Sequence, residues 1–144
     1  MAPTTVLITG ANRGLGEGLL SRYLAKPDHI VIAANRNPSH PTSQALANLP
    51  KGEGSRLIVV KWDASVDQDA FDAVSKLQQE HDIQYLDIVI ANAGVSELCP
   101  KVVDLKLDDL RFHMAPNVYG FLALPTRPLA HCSRSPPRSP FSPL

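Results

Sequence analysis

Four short runs of apolar residues punctuate the N-terminal part of the chain, at residues 5–9, 30–34, 57–60 and 86–91. Each run is nearly continuous rather than alternating. That pattern is typical of strands covered on both faces, as in a parallel sheet. The runs end at Gly10, Asn35-Arg36, Asp63 and Asn92, so polar or flexible residues follow every predicted strand.

Helical patterns lie between these strands. Apolar residues recur at helical spacing from Leu15 to Leu24, and Lys26-Pro27 gives a stop signal. Residues 42–49 form a weaker candidate, and Ser65 to Gln68 has the spacing of a capping box ahead of another helix. Residues 104–114 form a further candidate. Strands and helices alternating at this rhythm predict βαβ units and an α/β fold with a parallel sheet.

Composition and charge narrow the possible partners. The chain has 144 residues, enough for one domain, and its 14 basic side chains balance 14 acidic ones. We therefore expect neither nucleic acid nor an anionic membrane as a partner.

Residues 4–9 are too short for the apolar core of a signal peptide, and no stretch reaches transmembrane length. The two cysteines and five scattered histidines fit no metal or disulfide pattern, so we expect no metal and a cytoplasmic location.

The chain changes character near its C-terminus. Residues 1–124 carry the strand and helix patterns, whereas residues 125–144 are rich in proline, serine and arginine. Few apolar residues remain there to offset the entropy of ordering. We expect residues 125–144 to be a disordered tail, although a linear recognition motif is an alternative.

The segment from Thr9 to Gly16 reads Thr-Gly-Ala-Asn-Arg-Gly-Leu-Gly and joins the first strand to the first helix. In such a turn Gly10 permits the tight bend, Gly14 lets the backbone approach a pyrophosphate, and Gly16 allows the helix to pack closely on the strand. The start of the helix presents free N–H groups to the anion. An ordinary glycine turn is the alternative. We predict a dinucleotide site that includes Asn12 and Leu15 of the same turn.

The end of the second strand indicates which dinucleotide fits. An NAD site usually has a carboxylate there, whereas a 2′-phosphate needs positive charge. This chain has Arg36 at that point and Arg13 in the glycine turn, and a guanidinium binds phosphate through paired hydrogen bonds. We therefore predict NADP(H) as the cofactor. Two solvated surface arginines are the alternative.

With these motifs in place, residues 4–124 resemble the short-chain dehydrogenase/reductase family. Thr9 to Gly16 matches the family's Thr-Gly-x-x-x-Gly-x-Gly turn, and Asn92-Ala93-Gly94 matches its Asn-Ala-Gly element beside the cofactor ribose. Asp63, followed by Ala64, stands where the family places an aspartate against the adenine amino group. The alternatives are a turn or helix-capping role for Asp63 and a simple flexible loop at Gly94.

The resemblance implies a Rossmann-like, doubly wound parallel sheet with strand order 3-2-1-4, which ends in this chain after the fourth strand and the following helix. It also implies a homo-oligomer, although at most one of the family's interface helices is present in this chain. The opening strand, the glycine turn and residues 87–94 look most like fungal ketoreductases of aromatic polyketide pathways.

Asn117-Val118-Tyr119-Gly120 resembles the family's Asn-Val-x-Gly segment, in which the Asn belongs to a proton relay within an interrupted helix. Pro116 lacks an N–H and would clash with the Phe112 carbonyl, so we expect the helix to be interrupted here. The family does not usually have proline at this point, and a plain helix break is the alternative.

The family's remaining catalytic residues are absent from this sequence. They are a Tyr-x-x-x-Lys pair with an upstream Ser, but no lysine follows Lys106 and no tyrosine follows Tyr119. A tyrosine with its ordinary pKa near 10 needs a cation to become a useful acid at neutral pH. We expect a truncated or frame-shifted product. Three functions stay open: a ketoreductase acting on a small carbonyl substrate, a non-catalytic NADP(H)-binding module, and a non-functional fragment.

Overall fold

The computed structural model describes residues 2–96 and 100–124. Its centre is a four-stranded parallel sheet in the order β3-β2-β1-β4. The strands are β1 (Thr4–Thr9), β2 (His29–Asn35), β3 (Arg56–Lys61) and β4 (Ile88–Ile90). The predicted strand order and the α/β fold class are confirmed. β4 is shorter than its apolar run predicted.

Helices cover both faces of the sheet, which explains why the central strands are apolar without alternation. Helix α1 (Gly14–Leu24) and the short helix α2 (Pro41–Ala45) lie on one side, where Leu20, Leu24 and Leu46 pack against Val6 and Ile8. Helix α3 (Asp67–His81) lies on the other side and packs Ala70, Ala73, Val74 and Leu77 against the opposite strand faces. Successive strand residues point to opposite faces, so each strand serves both cores.

The predicted capping box at Ser65 is wrong. Helix α3 begins at Asp67 with Val66 as its N-cap, and no side chain caps it. The Asp63 carboxylate instead accepts hydrogen bonds from the Ser65 backbone N–H (2.9 Å) and hydroxyl (2.6 Å). This local turn competes with capping geometry and uses the Ser65 hydroxyl outside the helix.

The segment after β4 contains helices α4 (Leu107–Met114) and α5 (Gly120–Leu122), joined by a π-helical turn over Ala115–Tyr119. The Gly120 N–H bonds the Ala115 carbonyl five residues back, so the interruption expected at Pro116 is confirmed. Helix α4 starts three residues later than residues 104–114 predicted. The predicted tail at 125–144 lies outside the described residues.

Candidate functional site

A cleft of about 580 Å³ opens at the carboxyl ends of the strands, within the range of small-molecule sites. Eleven of the twelve predicted cofactor residues line it: Gly10, Asn12, Arg13, Gly14, Leu15, Arg36, Asp63, Ala64, Asn92, Ala93 and Gly94. Gly16 lies buried behind the wall of the cleft. The lining residues that sequence reasoning missed are Asn37, His40, Thr42, Trp62, Val95 and Pro116.

The glycine turn leaves the start of α1 open toward this cleft. Gly14 has φ +55°, a left-handed conformation that favours glycine, and a methyl group there would meet nothing within 4 Å. Arg13 is the N-cap residue and makes no side-chain capping bond. The first amide groups of α1 therefore have no capping side chain, which suits an anion at this point.

Gly16 is needed because the turn folds back against it. A methyl group at Gly16 would collide with the Gly10 carbonyl oxygen and lie 2.5 Å from Asn92 Nδ2. Asn92 Nδ2 itself donates to the carbonyl oxygens of Thr9 (3.0 Å) and Gly10 (3.1 Å). The Asn92 side chain thus clamps the glycine turn to the loop after β4.

Thr9, which sequence reasoning quoted only as part of the glycine motif, joins the ends of β1 and β4. Its Oγ1 accepts hydrogen bonds from the backbone N–H groups of Asn92 (3.0 Å) and Ala93 (2.9 Å). A hydroxyl directly after the apolar residues Val6, Leu7 and Ile8, next to the glycine turn, is the sequence signal that points to this role.

Asn35 is another positioning residue that was missed. It is 1% exposed, and its Oδ1 accepts the Ala11 backbone N–H at 2.9 Å. Its Nδ2 donates to the Ser43 hydroxyl at 3.3 Å, and that hydroxyl donates to the Asn37 carbonyl at 2.8 Å. The amide of Asn35 therefore fixes both the glycine turn and the loop after β2.

A second tether joins the same two loops at the surface of the cleft. Asn12 Nδ2 donates to Thr42 Oγ1 at 2.7 Å, and that oxygen lies 2.9 Å from His40 Nδ1. The Thr42 backbone N–H also donates to His40 Nδ1, at 3.3 Å. His40 thus caps α2 and contacts the cleft at the same time.

Asp63 lies in the cleft as an ionised carboxylate. Partial burial opposes its ionisation, but the two hydrogen bonds from Ser65 and the nearby charges of Arg36 and Lys61 outweigh it, so the pKa of Asp63 lies below its usual value. Its backbone N–H also donates to Asp69 Oδ2 at 2.8 Å. Asp63 therefore lies in the predicted cleft and also has the turn role that was its alternative.

Asn117 does not line this cleft. Its side chain pairs with the Val95 backbone, accepting from the N–H at 2.8 Å and donating to the carbonyl at 2.9 Å. Asn117 borders a smaller cavity of about 70 Å³ together with Thr9, Ala93 and Pro116. Val95 lines the main cleft, so the two hydrogen bonds from the Asn117 side chain to the Val95 backbone help to position one wall of that cleft.

Two features are missing from the part of the chain that the structure describes. Within residues 2–96 and 100–124 there is no helix of the length and apolar character needed to cross a membrane. The same residues contain no group of three or more His, Cys, Asp or Glu side chains arranged to hold a metal ion.

Comparison with known proteins gives a consistent set of relatives. The model of the family described as short chain dehydrogenase matches residues 4–133. The norsolorinic acid ketoreductase nor1 of Dothistroma septosporum is 47% identical over 128 residues, 88% of this chain and 47% of that protein. The norsolorinic acid ketoreductase stcE of Emericella nidulans is 44% identical over 137 residues, 92% of this chain and 51% of that protein.

Among solved structures, an NADPH-bound carbonyl reductase from chicken fatty liver superimposes with a TM-score of 0.73 at 25% identity. The match covers 86% of this chain and 49% of the reductase. The chain thus spans about half the length of the curated relatives it matches.

Proposed function

This chain belongs to the short-chain dehydrogenase family, and from that premise we propose that its cleft binds NADP(H), the cofactor of a ketoreductase that acts on a small carbonyl substrate. Eleven predicted cofactor residues, brought together from four separate strand ends, are the observation that carries the proposal. Ligands of open α/β sheets bind at this edge, outside the carboxyl ends of the strands.

The cradle for the pyrophosphate is the start of α1. Gly14 borders open space, and the first amides of α1 have no capping side chain. An anion there would accept hydrogen bonds from backbone N–H groups and meet the positive end of the helix. Asn92 and Asn35 hold this turn in place from two sides, so little ordering is required on binding.

The 2′-phosphate is assigned to Arg13 and Arg36. Both are exposed, both line the cleft, and neither is one of the partners in the salt bridges found among the described residues. Arg36 also contributes to keeping Asp63 ionised. A guanidinium binds a phosphate dianion through two parallel hydrogen bonds. NADH has a hydroxyl instead of a phosphate at the 2′ position, so it cannot accept this pair of bonds.

The reaction that this cofactor supports is hydride transfer between the nicotinamide and a carbonyl or alcohol carbon. Asn117 borders the neighbouring small cavity and holds the Val95 loop, which forms part of the cleft wall. The sequence contains no Tyr-x-x-x-Lys pair to supply the proton. We therefore expect this polypeptide to bind NADP(H) without turning over ketones, as a binding module would.

The test compares NADPH and NADH binding to the purified chain by fluorescence titration and calorimetry. The wild type should prefer NADPH. Arg36→Ala should lose about 10- to 100-fold in NADPH affinity, because a hydrogen bond to a charged group contributes roughly 1.5–3 kcal/mol. NADH affinity should change little.

Arg22→Ala is the matched control, because Arg22 is an exposed arginine in the last turn of α1, away from the cleft. It should bind both nucleotides like the wild type. Equal affinity for NADPH and NADH, or no binding by folded protein, would reject the proposed cofactor. Ketone reduction above the uncatalysed rate would reject the proposed lack of turnover.

A further inference from the structure

We propose that Asp69 is a positioning residue for the nucleotide: it fixes the backbone of Asp63 so that one oxygen of the Asp63 carboxylate accepts a hydrogen bond from the adenine amino group. This inference rests on the proposed function, because it needs NADP(H) in the same cleft. Asp69 is not among the residues that line the cleft, so its carboxylate acts on the nucleotide through Asp63.

Asp69 is a buried carboxylate in the first turn of α3. The residue is only 6% exposed, and both of its carboxylate oxygens are used. Oδ1 accepts from the Lys61 ammonium at 2.9 Å, and Oδ2 accepts from the Asp63 backbone N–H at 2.8 Å. Burying a charge is costly unless it is paired and hydrogen-bonded. These two bonds meet that requirement and hold the Asp69 side chain in one orientation.

The bond to Asp69 determines where the chain turns out of strand β3. The Trp62 N–H still bonds the neighbouring strand, at the Asn35 carbonyl (2.9 Å). The next N–H, that of Asp63, donates to the Asp69 carboxylate instead. The Asp63 carbonyl then accepts the Val66 N–H at 3.0 Å, which closes the turn ahead of α3. Asp63 therefore has a fixed backbone position at the edge of the cleft.

The side chain of Asp63 is held at one oxygen and open at the other. Oδ1 accepts both hydrogen bonds from Ser65, at 2.6 Å and 2.9 Å. Within residues 2–96 and 100–124, Oδ2 receives no hydrogen bond. A carboxylate whose backbone and first oxygen are fixed presents its second oxygen in one direction, which favours one specific hydrogen bond from a ligand.

The charges of the cleft indicate which part of the nucleotide meets Asp63. A carboxylate repels phosphate and only accepts hydrogen bonds, so it requires a donor on the ligand. The charge of Arg36 lies close enough to help keep Asp63 ionised, and Arg36 is assigned to the 2′-phosphate, so Asp63 lies at the adenosine end. The donors at that end are the adenine amino group and the ribose 3′-hydroxyl. The hydroxyl adjoins the 2′-phosphate, whose charge repels Asp63, and the amino group is therefore favoured.

The experiment compares the affinity of the full chain for NADPH with that for its hypoxanthine analogue, in which a carbonyl oxygen replaces the adenine amino group. The wild type should bind NADPH about 10- to 100-fold more tightly, because the analogue lacks a hydrogen bond to a charged group. Asp69→Ala should lose most of this preference. Asp69→Asn should keep it, since the amide oxygen still accepts from the Asp63 N–H.

Because only folded protein binds either nucleotide, the ratio of the two affinities does not depend on the folded fraction. Asp69→Ser gives the same readout should the alanine variant fail to fold. Serine suits the start of a helix, and its hydroxyl ends one bond short of the carboxylate oxygens of Asp69.

Asp72→Ala is the control, because Asp72 is an exposed carboxylate on the same helix whose hydrogen bond comes from the exposed Gln68 side chain (2.9 Å). It should keep the wild-type preference for NADPH over the analogue. In an Asp63→Ala background, Asp69→Ala should not change the preference further, because Asp69 acts through Asp63.

A full preference for NADPH in folded Asp69→Ala or Asp69→Ser, or a lost preference in Asp69→Asn, would overturn the role of Asp69. Equal affinity of the wild type for NADPH and the analogue would overturn this inference and leave the proposed cofactor standing. Failure of the folded wild type to bind NADPH would overturn the proposed function and this inference together.

Discussion

The first and last parts of the described chain differ in how well their apolar residues are covered. In residues 4–64, the cofactor half, the β1 residues Val6, Leu7 and Ile8 are completely buried. In residues 88–124, the distal segment, Val102 is 88% exposed and Leu122 is 73% exposed. Strand β4 is only half-buried. The distal segment therefore contributes less hydrophobic stabilisation to the fold than the cofactor half does.

Two asparagines show the same difference in polar contacts. Asn35 and Asn117 each use both side-chain polar atoms to hold a distant part of the chain. Asn35 is buried, so its bonds cannot be replaced by water, whereas Asn117 is exposed and competes with solvent. The glycine turn is thus held rigidly, while the cleft wall formed by the Val95 loop opens at a lower free-energy cost.

The largest expected effect is a core truncation in the cofactor half. Leu7→Ala should lower the free energy of unfolding by about 2–5 kcal/mol, because the Leu7 side chain is fully buried in the core between the sheet and helix α3. Leu122→Ala in the distal segment should change it by less than about 0.5 kcal/mol. Denaturant melts followed by circular dichroism would measure both. Similar losses from the two truncations would remove the proposed difference between the regions.

A smaller effect is expected from methyl groups at two closely packed glycines. Gly16→Ala should cost about 1–3 kcal/mol and abolish NADPH binding, because its new methyl group would collide with the Gly10 carbonyl. Gly120→Ala would collide with the Ala64 carbonyl, where the distal segment packs on the cofactor half. It should cost less, because α5 can shift away from a loop, and NADPH binding should persist.

Gly18→Ala provides the control for both variants. Gly18 lies on the same helix as Gly16, and a methyl group there meets nothing within 4 Å. Replacing a helical glycine by alanine should stabilise the chain by about 0.5–1 kcal/mol. Thermal melts with and without NADPH separate stability from binding. Retained NADPH binding in Gly16→Ala would contradict the arrangement of the cradle.

The sheet could be predicted from sequence because its signal is local. Continuous apolar runs identified all four strands, and the polar or flexible residues after each run marked the edge where the cleft forms. The glycine motif then placed the start of α1 correctly. Strand β4 was overestimated because Leu86, which belongs to its apolar run, packs in the core next to the strand rather than within it.

The residues that hold the site could not be predicted because their partners are distant in sequence. Asn35 bonds Ala11, 24 positions away, and Asn12 bonds Thr42, 30 positions away. A single asparagine or threonine carries no local pattern that identifies such a partner. The predicted capping box failed for a related reason, since Ser65 bonds Asp63 rather than the helix that follows.

The smallest expected effect compares one carboxylate from each region at different pH values. The pKa of Asp63 is lowered in the folded chain, so the folded state binds fewer protons there than the unfolded state. Its contribution is fully present above the unfolded pKa of about 4 and is lost as the pH falls through the lower folded pKa. Asp63→Asn should therefore lower the melting temperature at pH 6, and the difference from wild type should shrink toward pH 3.

Asp108→Asn breaks an exposed ion pair with Arg111 (2.9 Å) and should change stability by no more than a few tenths of a kcal/mol. Differential scanning fluorimetry between pH 3 and pH 7 would follow both variants, and a deficit in Asp63→Asn that stays constant with pH would show that its carboxylate is not preferentially ionised in the fold.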